Sequence, residues 1–515
     1  MLKCPECYSE NIIQKGTRNG KTRFKCKDCK SWTIAPINLD HIEEKEFDKK
    51  SVKKHSSNAN KKSKIVITSA QNATPPHKAF LNNLIAYCKE NDAELLVIPY
   101  RYKNPTSVFT DRDYDWWHTD VTPYIVNQRF KVNENLFVLG DIKTQPTQMN
   151  PLTSMENFTN HESIIVGHPK IALQSVATRQ GQMAKLMLST GTCTVPNYTN
   201  TKLGKRGERS HCFGAAVVEK DQDEIFHVRH IHATDDGSFY DVNKKYANQE
   251  CHDIDGIEAL VVGDLHQWWL DPNVDTATFT NEDSIYNTVK PKRTIVHDIC
   301  DSYSISHHHG PFEQFTKTKF QKNSIKQELE DAFGYIESRT DNDLYIVPSN
   351  HDDHIRRWVE DANWKNDPVN AEFYLETALH MVQTAHMTEG GGKVADPFQY
   401  WGSKYLTSDR SRILDEDESL QVKGVELSLH GDRGCNGSRG HPNGLSKIGT
   451  RAIVGHYHSP IWKDGLIAVG TSTVLNMAYA KGPSSWIQSH VLLYPNGRFT
   501  HVHIIKGRYC ASQIK

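Results

Sequence analysis

Short continuous apolar runs alternate with stretches of helically spaced apolar residues along most of the chain. "KIVITSA" (64–70) is such a run, "HKAFLNNLIAYCKEND" (77–92) has the helical spacing, and "ELLVIPY" (94–100) is a second run. This order predicts a β-α-β unit. Further runs, "NLFVLGDI", "SIIVGHP" and "GAAVVE", extend the pattern. They predict a first α/β region, an accessory domain over about 65–250.

A second α/β block is predicted over 251–515. Helical spacing near 323–338 and in "PVNAEFYLETALHMV" (368–382) predicts two helices, and Asn496-Gly497 within "SHVLLYPNGRFTHVHII" predicts a hairpin turn. Apolar runs of this block end five times in metal-ligand residue types. The five ends are Gly263-Asp264-Leu265-His266, His297-Asp298, Asn350-His351-Asp352, His430-Gly431 and Gly455-His456-Tyr457-His458.

Neighbouring strands of an α/β sheet bring the loops at their carboxyl ends to one rim, so we expect these side chains to converge. Carboxylate, amide and imidazole ligands suit Mn²⁺, Fe or Zn²⁺. A bridging carboxylate can hold two such ions close enough to clamp a phosphate. For any one of these histidines, an ordinary surface or core position is the simpler interpretation. The five ends together favour a metal centre.

The N-terminus carries a separate cysteine pattern. Cys4, Cys7, Cys26 and Cys29 give the spacing C-x2-C-x18-C-x2-C, while the other seven of the eleven cysteines are scattered. Two such knuckles predict a closed structural zinc site in a ribbon over residues 1–36. Residues 37–64 are highly charged and nearly free of large apolar side chains, so we interpret them as a linker.

Charge is distributed unevenly although the net charge of the 515 residues is only −1. Residues 1–65 hold 16 Lys+Arg and 8 Asp+Glu, a net of +8, so the rest of the chain carries −9. A basic ribbon with an aromatic residue inside it favours contact with a nucleic-acid backbone. A ribbon that mediates only protein contacts or assembly is the alternative. No apolar run is long enough to cross a membrane and no signal peptide is evident, so we expect a cytoplasmic protein.

The second block resembles the calcineurin-like metallophosphoesterase family. That family has the order D-x-H, G-D-x-x-D, G-N-H-D, a lone H and G-H-x-H, and the five ends follow it over about 255–510. His297 and Ser349 stand where the family usually has glycine, which affects the turns and removes no ligand. The resemblance implies an α/β fold of the four-layer αββα sandwich type. Asp298-x-x-Asp301 is compatible with an SbcD-like nuclease branch.

The resemblance also implies a role for each residue. Seven residues would hold two divalent ions, with Mn²⁺ favoured, and Asp298 would bridge them: Asp264, His266, Asp298, Asn350, His430, His456 and His458. His351 would contact the phosphate and protonate the leaving oxygen, and Asp352 would orient His351. Metal-bridged hydroxide would attack the phosphodiester.

Several further residues are candidates for substrate contact. Asp301 and the histidines in "SYSISHHHG" follow the second motif, Arg356 follows the third, and a basic stretch, "TKLGKRGERSH" (201–211), lies in the first region. An exposed loop or helix face is the competing interpretation for each of them. The candidates are Asp301, His307, His308, His309, Arg356, Lys205 and Arg206.

The basic ribbon and the additional α/β region favour a DNA nuclease. In overall arrangement the chain is similar to the early host-DNA-degrading nucleases of large lytic phages, which would act in the host cytoplasm. A protein phosphatase or a small-molecule phosphoesterase of the same fold is the first alternative. A non-enzymatic DNA-binding scaffold is the second. A homo-oligomer is compatible with the ribbon and the extra domain.

Overall fold

The protein is a mixed α/β chain that divides into two compact units. The computed structural model describes residues 2–4, 9, 11–18, 21–34, 37–38, 41–43, 55, 58–59, 61–104, 116–160, 162–221, 224–306, 309–361, 363–477 and 480–514. The first unit comprises residues 1–172 and 187–252, and the second comprises residues 173–186 and 253–515. Within the described ranges, no helix is both long and apolar enough to cross a bilayer.

The N-terminal part of the first unit consists of short strands. Strands β2 and β3 form an antiparallel hairpin, β3 also pairs with β4, and β1 pairs with β5. Within the range predicted as a linker, β5 pairs with β1, β6 pairs with the later strand β9, and Ala59 is buried. Main-chain pairing needs no apolar side chains, so the charged composition did not reveal it. The strands are β1 Leu2–Lys3, β2 Ile12–Arg18, β3 Lys21–Cys26, β4 Trp32–Thr33, β5 Ile37–Asn38 and β6 His41–Glu43.

The remainder of the first unit contains the predicted β-α-β unit. Strand β7 pairs in parallel with β8, and the helix α1 between them, Lys78–Glu90, begins where the side chain of His77 accepts a hydrogen bond from Phe80 N–H. Both the strands and the helix are therefore confirmed. The strands are β7 Lys64–Gln71, β8 Glu94–Tyr100, β9 Trp116–His118, β10 Arg129–Asn133, β11 Leu136–Leu139, β12 Ser163–Val166, β13 His168–Val176, β14 Lys185–Gly191, β15 Gly214–Lys220, β16 Phe226–His232, β17 Phe239–Asp241, β18 Lys244–Ala247 and β19 Glu250–Asp253; the other helices are α2 Glu156–Thr159 and α3 Lys202–Arg209.

Two sheets form the framework of the second unit. The first has the order β25-β22-β21-β20-β31-β32, in which the first four strands run parallel. In the second sheet, β27, β28 and β30 run parallel. The strands are β20 Ala259–Val261, β21 Arg293–His297, β22 Asp343–Val347, β23 His386–Thr388, β24 Gly391–Lys393, β25 Ser411–Ile413, β26 Gln421–Val422, β27 Val425–Glu426, β28 Arg451–Val454, β29 Ile461–Lys463, β30 Leu466–Ala468, β31 Ser489–Leu493 and β32 Phe499–His503.

The two sheets of the second unit contact each other through large side chains. The rings of Trp462 and Phe499 lie 4.4 Å apart, and His501 Nε2 lies 2.9 Å from the carbonyl oxygen of Ala468. The predicted hairpin is confirmed: β31 and β32 pair antiparallel, and Gly497 in their turn has φ 72°. Contact between the sheets holds the loops at their strand ends in a fixed relation.

Helices cover the first sheet of the second unit. Helix α7 begins at the cap Ser324, whose side chain accepts a hydrogen bond from Gln327 N–H, and it buries Leu329 and Phe333 at helical spacing. Phe333 packs against Phe398 of α10 with ring centroids 5.3 Å apart. The predicted helices near 323–338 and 368–382 are both present. The helices are α4 Pro272–Asp275, α5 Ile285–Val289, α6 Pro311–Lys319, α7 Ile325–Arg339, α8 Asp353–Asp361, α9 Ala371–Thr384, α10 Pro397–Tyr405 and α11 Pro442–Leu445.

Candidate metal centre

The predicted ligands lie in loops that follow strands of both sheets. Asp264 and His266 follow β20, Asp298 follows β21 and Asn350 follows β22. These three strands are parallel neighbours in the first sheet, so their loops leave at the same edge. In the second sheet, His430 follows β27 and the pair His456 and His458 follows β28.

Five of the seven predicted ligands form two groups that share Asp298. The ligand atoms of His266, Asp298 and His458 all lie within 4.8 Å of one another, and so do those of Asp264, Asp298 and His430. The shortest links are His266 Nε2 to His458 Nε2 at 3.1 Å and His430 Nε2 to Asp298 Oδ2 at 3.2 Å. Asp298 thus belongs to both groups, which is what the predicted bridging role would require.

Asn350 and His456 border these groups. The amide oxygen of Asn350 is buried and has no hydrogen-bond partner among the described residues. The ring of His456 lies 5.3 Å from that of His430, centroid to centroid. The structure thus brings five of the predicted ligands to close range and places His456 beside His430, while Asn350 lies in the loop of the neighbouring strand β22.

The carboxylates of the centre are buried and contact imidazoles without hydrogen bonds of normal geometry. Both oxygens of Asp264 and both of Asp298 lack such a hydrogen bond in the described part of the chain, although His458 Nε2 and His430 Nε2 lie 3.2 Å from Asp264 Oδ2 and Asp298 Oδ2. Each residue is at most 1% exposed. Buried carboxylates without hydrogen bonds are costly unless they are paired or bind a metal ion. The unsatisfied oxygens and the surrounding imidazoles together fit a site for divalent cations.

The backbone at this centre adopts conformations that ordinary residues avoid. His266, Asp298, His456 and His458 have φ values of 39°, 45°, 72° and 53°. Non-glycine residues rarely have positive φ, and strained backbone of this kind concentrates at functional sites. Four of the seven predicted ligands are held in this way, which indicates that their positions are fixed by the surrounding fold.

Gly455 makes the close approach of the two sheets possible. A Cβ at this position would lie 2.2 Å from Asp264 Oδ1 and 2.9 Å from His297. Gly455→Ala is therefore expected to displace Asp264 and to weaken binding of divalent ions by at least about 10-fold, the lower range for disturbed ligand positioning. Isothermal titration of the metal-free protein with Mn²⁺ would measure this. Gly449→Ala is the control, because a Cβ at position 449 meets no atom within 4 Å. Equal Mn²⁺ affinity in the two variants would contradict the prediction.

Two imidazoles of the centre are strongly basic in the metal-free protein. Burial lowers the pKa of His266, but the carboxylates of Asp301 and Asp298 outweigh it and raise the pKa to about 9. Burial likewise opposes, and Asp298 raises, the pKa of His430 to about 9. The pKa of Asp298 is pulled well below its usual range, because the nearby imidazoles outweigh its burial. The protonated imidazoles thus supply positive charge where a metal ion would otherwise stand.

These pKa values predict opposite pH trends for stability and for metal binding. Since folding raises both histidine pKa values, their contribution to the free energy of unfolding is fully present below about pH 6.5 and is lost as the pH rises through about 9. Metal ions need the neutral imidazoles, so Mn²⁺ affinity should increase over the same range.

Urea denaturation of metal-free protein at pH 6.5 and pH 9, alongside Mn²⁺ titrations, measures both trends. His430→Gln is the comparison variant, because it removes one of the two raised pKa values. The prediction fails if the wild-type protein and His430→Gln lose the same free energy of unfolding between the two pH values.

Asp301 links a metal-ligand histidine to His351. Its Oδ1 atom lies 3.2 Å from His266 Nδ1 and 3.2 Å from His351 Nδ1. Burial raises the pKa of Asp301, but contact with His266 lowers it by more, so the pKa lies below its usual value and the carboxylate is ionised. Asp301 was predicted as a substrate contact, and the structure places it as a partner of two imidazoles.

The role predicted for Asp352 requires correction. Asp352 Oδ2 accepts a hydrogen bond from Ser349 N–H at 2.8 Å, which closes the turn that carries Asn350. Burial raises the pKa of Asp352 well above its usual range. His351 therefore contacts Asp301 rather than its own neighbour in the sequence. Asp352 supports the turn.

The other predicted substrate contacts are divided between the two units. In the second unit, His309 lies against Tyr303 with ring centroids 4.8 Å apart, and Arg356 is exposed on α8 and lies 3.5 Å from Glu360. His307 and His308 lie outside the described residues.

In the first unit, Lys205 and Arg206 belong to helix α3, not to the predicted loop. The side chain of Thr201 caps this helix by accepting a hydrogen bond from Gly204 N–H. Lys205 pairs with Glu208 at 2.9 Å, and Arg206 donates to the carbonyl oxygen of Thr147. Both cations therefore already have protein partners.

A large acidic cleft borders the centre on the side of His430. Its volume is about 1620 Å³, and its lining includes His430 and Ser349. Among the described residues that line it, eight are Asp or Glu and three are Lys or Arg. Arg433, one of the three, is paired with Asp353 at 3.0 Å. The cleft is therefore a negatively charged approach to the centre.

Three cysteines of the predicted ribbon come together in the first unit. The sulfur atoms of Cys4, Cys26 and Cys29 all lie within 4.8 Å of one another, and those of Cys4 and Cys29 are 3.6 Å apart. A tetrahedral zinc site with Zn–S bonds of about 2.3 Å separates its sulfurs by about 3.8 Å. The three thiols therefore fit such a site, and Cys7 lies outside the described residues.

The ribbon also exposes an aromatic residue between two cations. Trp32 is 47% exposed, and the Arg23 guanidinium and the Lys25 amino group lie 4.2 Å and 5.5 Å from its ring centroid. Arg23 and Lys25 alternate on β3, so they share one face of the hairpin. The basic character of the ribbon is evident from its sequence, whereas the position of this tryptophan between two cations is not.

The fold and site define a mixed α/β protein with candidate metal-binding groups at the ends of its strands. This chain is 33% identical to Protein A1 of Escherichia phage T5 over 464 residues, which cover 87% of this chain and 83% of that protein. The chain belongs to the family of Protein A1. No protein-family model matches the chain. No solved structure matches it significantly.

Proposed function

We propose that this protein is a dinuclear-metal-dependent phosphodiesterase that degrades DNA, with the catalytic unit folded as a metallophosphoesterase sandwich. The observation that carries the proposal is the pair of ligand groups that share Asp298. Two sheets in mutual contact, each supplying ligand loops, are consistent with that fold. The order of the five motifs adds independent support.

The predicted ligands would form two sets, one for each ion. Asp264, His266, Asp298 and His458 would hold one ion, and Asp298, Asn350, His430 and His456 the other. Two divalent ions, when bound, would activate water and neutralise charge that develops on the phosphate. The carboxylate of Asp301 keeps His266 and His351 oriented through contacts of 3.2 Å to each. Fixed orientation of this kind is what positioned ligands and catalytic groups require.

His351 is the residue proposed to act on the leaving group. It is half-buried, at the edge of the centre, with its Nδ1 atom held by Asp301. The ring centroids of His351 and His266 lie 4.9 Å apart, so His351 stands next to the ligands without belonging to the group that shares Asp298. Its other nitrogen, Nε2, would donate a proton to the departing oxygen.

The ribbon is proposed to hold DNA. Aromatic rings stack on bases and nearby cations neutralise phosphates. Trp32→Ala is therefore expected to weaken binding of a single-stranded oligonucleotide by about 10-fold, the loss expected for one stacked base. Fluorescence anisotropy in the presence of EDTA measures binding without cleavage. Ile34→Ala is the matched control, since Ile34 is 55% exposed in the same ribbon. Unchanged affinity of Trp32→Ala would remove the ribbon from the proposal.

An assay panel with Mn²⁺ tests the proposed function as a whole. The substrates are double-stranded DNA, single-stranded DNA, a phosphopeptide and bis-p-nitrophenyl phosphate. Hydrolysis of DNA and of the small diester, without hydrolysis of the phosphopeptide, is the expected result. Preference for the phosphopeptide would favour a protein phosphatase. DNA binding without hydrolysis of any substrate would favour the scaffold alternative.

A further inference from the structure

Helix α6, Pro311–Lys319, exposes its aromatic residues and turns charged residues inward. Phe312 is 90% exposed, Phe315 is 66% exposed, and Phe320, which caps the helix, is 64% exposed. Lys317, in contrast, is only 1% exposed. A surface helix normally places its apolar side chains against the core, so this arrangement is inverted. Three large apolar side chains exposed on one short helix can serve as a binding surface.

The inward face of α6 is attached to the segment that leaves the metal centre. Tyr303 donates a hydrogen bond from its hydroxyl to Glu313, and the Lys317 amino group lies 4.8 Å from the Tyr303 ring centroid. Lys317 also lies 3.4 Å from the carbonyl oxygen of Ser304. Polar contacts thus hold the helix, and the phenylalanines are left free to contact another molecule.

A continuous series of contacts connects this helix with the metal centre. The Tyr303 ring packs edge-on against the Trp269 ring with centroids 5.0 Å apart. The main-chain N–H of Trp269 donates to the carbonyl oxygen of the predicted ligand His266 at 2.7 Å. Next to Tyr303, the hydroxyl of Ser302 donates to the carbonyl oxygen of His351 at 2.9 Å. The helix that carries the exposed phenylalanines is therefore connected through the segment around Tyr303 to His266 and His351.

Charge distinguishes the region of α6 from the cleft beside His430. The Lys319 amino group lies 5.6 Å from the Phe320 ring, and the Lys322 amino group lies 3.9 Å from that of Trp268. The cleft on the side of His430 is acidic and would repel a phosphate backbone. A DNA strand would therefore meet favourable charge where the phenylalanines lie.

We propose that Phe312, Phe315 and Phe320 form a stacking platform for unpaired bases of the DNA strand that is cut. This inference rests on the proposed nuclease function. Phe312 and Phe315, at i and i+3 of the helix, stand about 5–6 Å apart at their Cβ atoms, which is wider than the spacing of stacked bases in a duplex, and Phe320 follows at the end of the helix. Unpaired bases can separate and expose their faces to such rings. The platform thus selects single-stranded DNA or unpaired ends.

The test compares substrates with and without bases. The variant F312A/F315A/F320A is assayed with Mn²⁺ on a single-stranded oligonucleotide, on an abasic oligonucleotide of the same length and on bis-p-nitrophenyl phosphate. We expect kcat/KM on the base-bearing strand to fall at least about 10-fold, mainly through KM, as for the loss of one stacked base. Hydrolysis of the abasic strand and of the small diester should stay within about 2-fold of the wild type. Melting temperature should be unchanged, because the side chains removed are exposed.

Two further variants separate stacking from other effects. F312Y/F315Y/F320Y keeps the rings and should retain activity on the base-bearing strand. F312L/F315L/F320L keeps the apolar bulk without rings and should lose activity on that strand. The matched control is L375A/L379A/V382A, which removes a comparable exposed apolar face from α9: these side chains are 48%, 57% and 74% exposed. This control should leave all three substrates unaffected.

Several results would overturn the platform. One is equal activity of the alanine variant and the wild type on the base-bearing strand. Another is full activity of the leucine variant. A lower molar mass by light scattering in the alanine variant, with equal loss on all three substrates, would show that the face joins copies of the chain instead. If the wild-type protein hydrolyses the small diester and no DNA, the proposed function itself fails.

Discussion

Asp298→Asn is expected to release metal ions from the second unit and to reduce hydrolysis on the order of 10³-fold, the scale for loss of a major electrostatic stabiliser. Asp298 belongs to both groups that consist of predicted ligands, so its charge would serve both predicted ions. Asparagine keeps the size and the left-handed backbone, for which it is better suited than most residues. The variant therefore tests charge with little change of shape.

Metal content and turnover measure this outcome together. Mass spectrometry of the purified protein would give ions per chain, and bis-p-nitrophenyl phosphate would give turnover. Asp409→Asn is the control, because it makes the same chemical change at an exposed position. Two divalent ions per chain in Asp298→Asn, beyond any zinc in the ribbon, would contradict the assignment of Asp298 as a shared ligand.

His351→Ala is expected to keep the metal ions and to lose turnover. General acid catalysis typically contributes about 10²–10⁴-fold, so DNA cleavage should fall by a factor in that range. The loss on bis-p-nitrophenyl phosphate should be much smaller, because p-nitrophenolate leaves readily without a proton. This difference between substrates distinguishes proton donation from a structural role for His351.

The control for this substitution is a histidine away from the ligands. His252 is exposed on β19 and belongs neither to the ligand groups nor to the cleft beside His430, so His252→Ala removes an imidazole without touching the centre. Asp301→Asn is informative as well, since it removes the charge that faces His351 Nδ1 at 3.2 Å. It should shift the pH profile of DNA cleavage. Equal losses on DNA and on the small diester in His351→Ala would argue against the proposed role.

Two approaches to the same centre differ in charge, and the difference bears on substrate choice. The described lining of the cleft beside His430 has eight Asp or Glu and three Lys or Arg, whereas the region around α6 presents aromatic rings with lysines nearby. A polyanion is attracted by the lysines near α6 and repelled by the carboxylates of the cleft. Under the proposed nuclease function, the negative cleft would restrict the directions from which a DNA strand can reach the ligands.

Local patterns in the sequence predicted much of the secondary structure. The run–helix–run pattern over 64–100 became β7, α1 and β8, and Asn496-Gly497 became the turn between β31 and β32. These predictions rest on periodicity and turn chemistry, which involve residues close in the chain. The basic stretch 201–211 was different, because its helix depends on the cap at Thr201 and on close packing of Gly204 and Gly207 against Thr199 and Tyr198, which the charge pattern did not suggest.

The partner of His351 could not be predicted from its neighbours in the sequence. Asp352 is its neighbour in the sequence and carries the right group, yet the turn points that carboxylate at Ser349 N–H. Asp301, fifty positions earlier, reaches His351 because β21 and β22 are parallel neighbours whose loops leave at one edge. Contacts of this kind depend on strand order and loop geometry, and neither is encoded in the spacing of a motif.

The sequence by itself determined which residue types could serve as ligands and that they follow buried strands. It also determined the cysteine spacing of the ribbon. Only the tertiary structure decided that Asp298 is shared, that Asp301 rather than Asp352 faces His351, and that α6 turns its phenylalanines outward. The physical reason is that a side chain's type is a local property, whereas its partners, burial and charge environment arise when distant segments pack together.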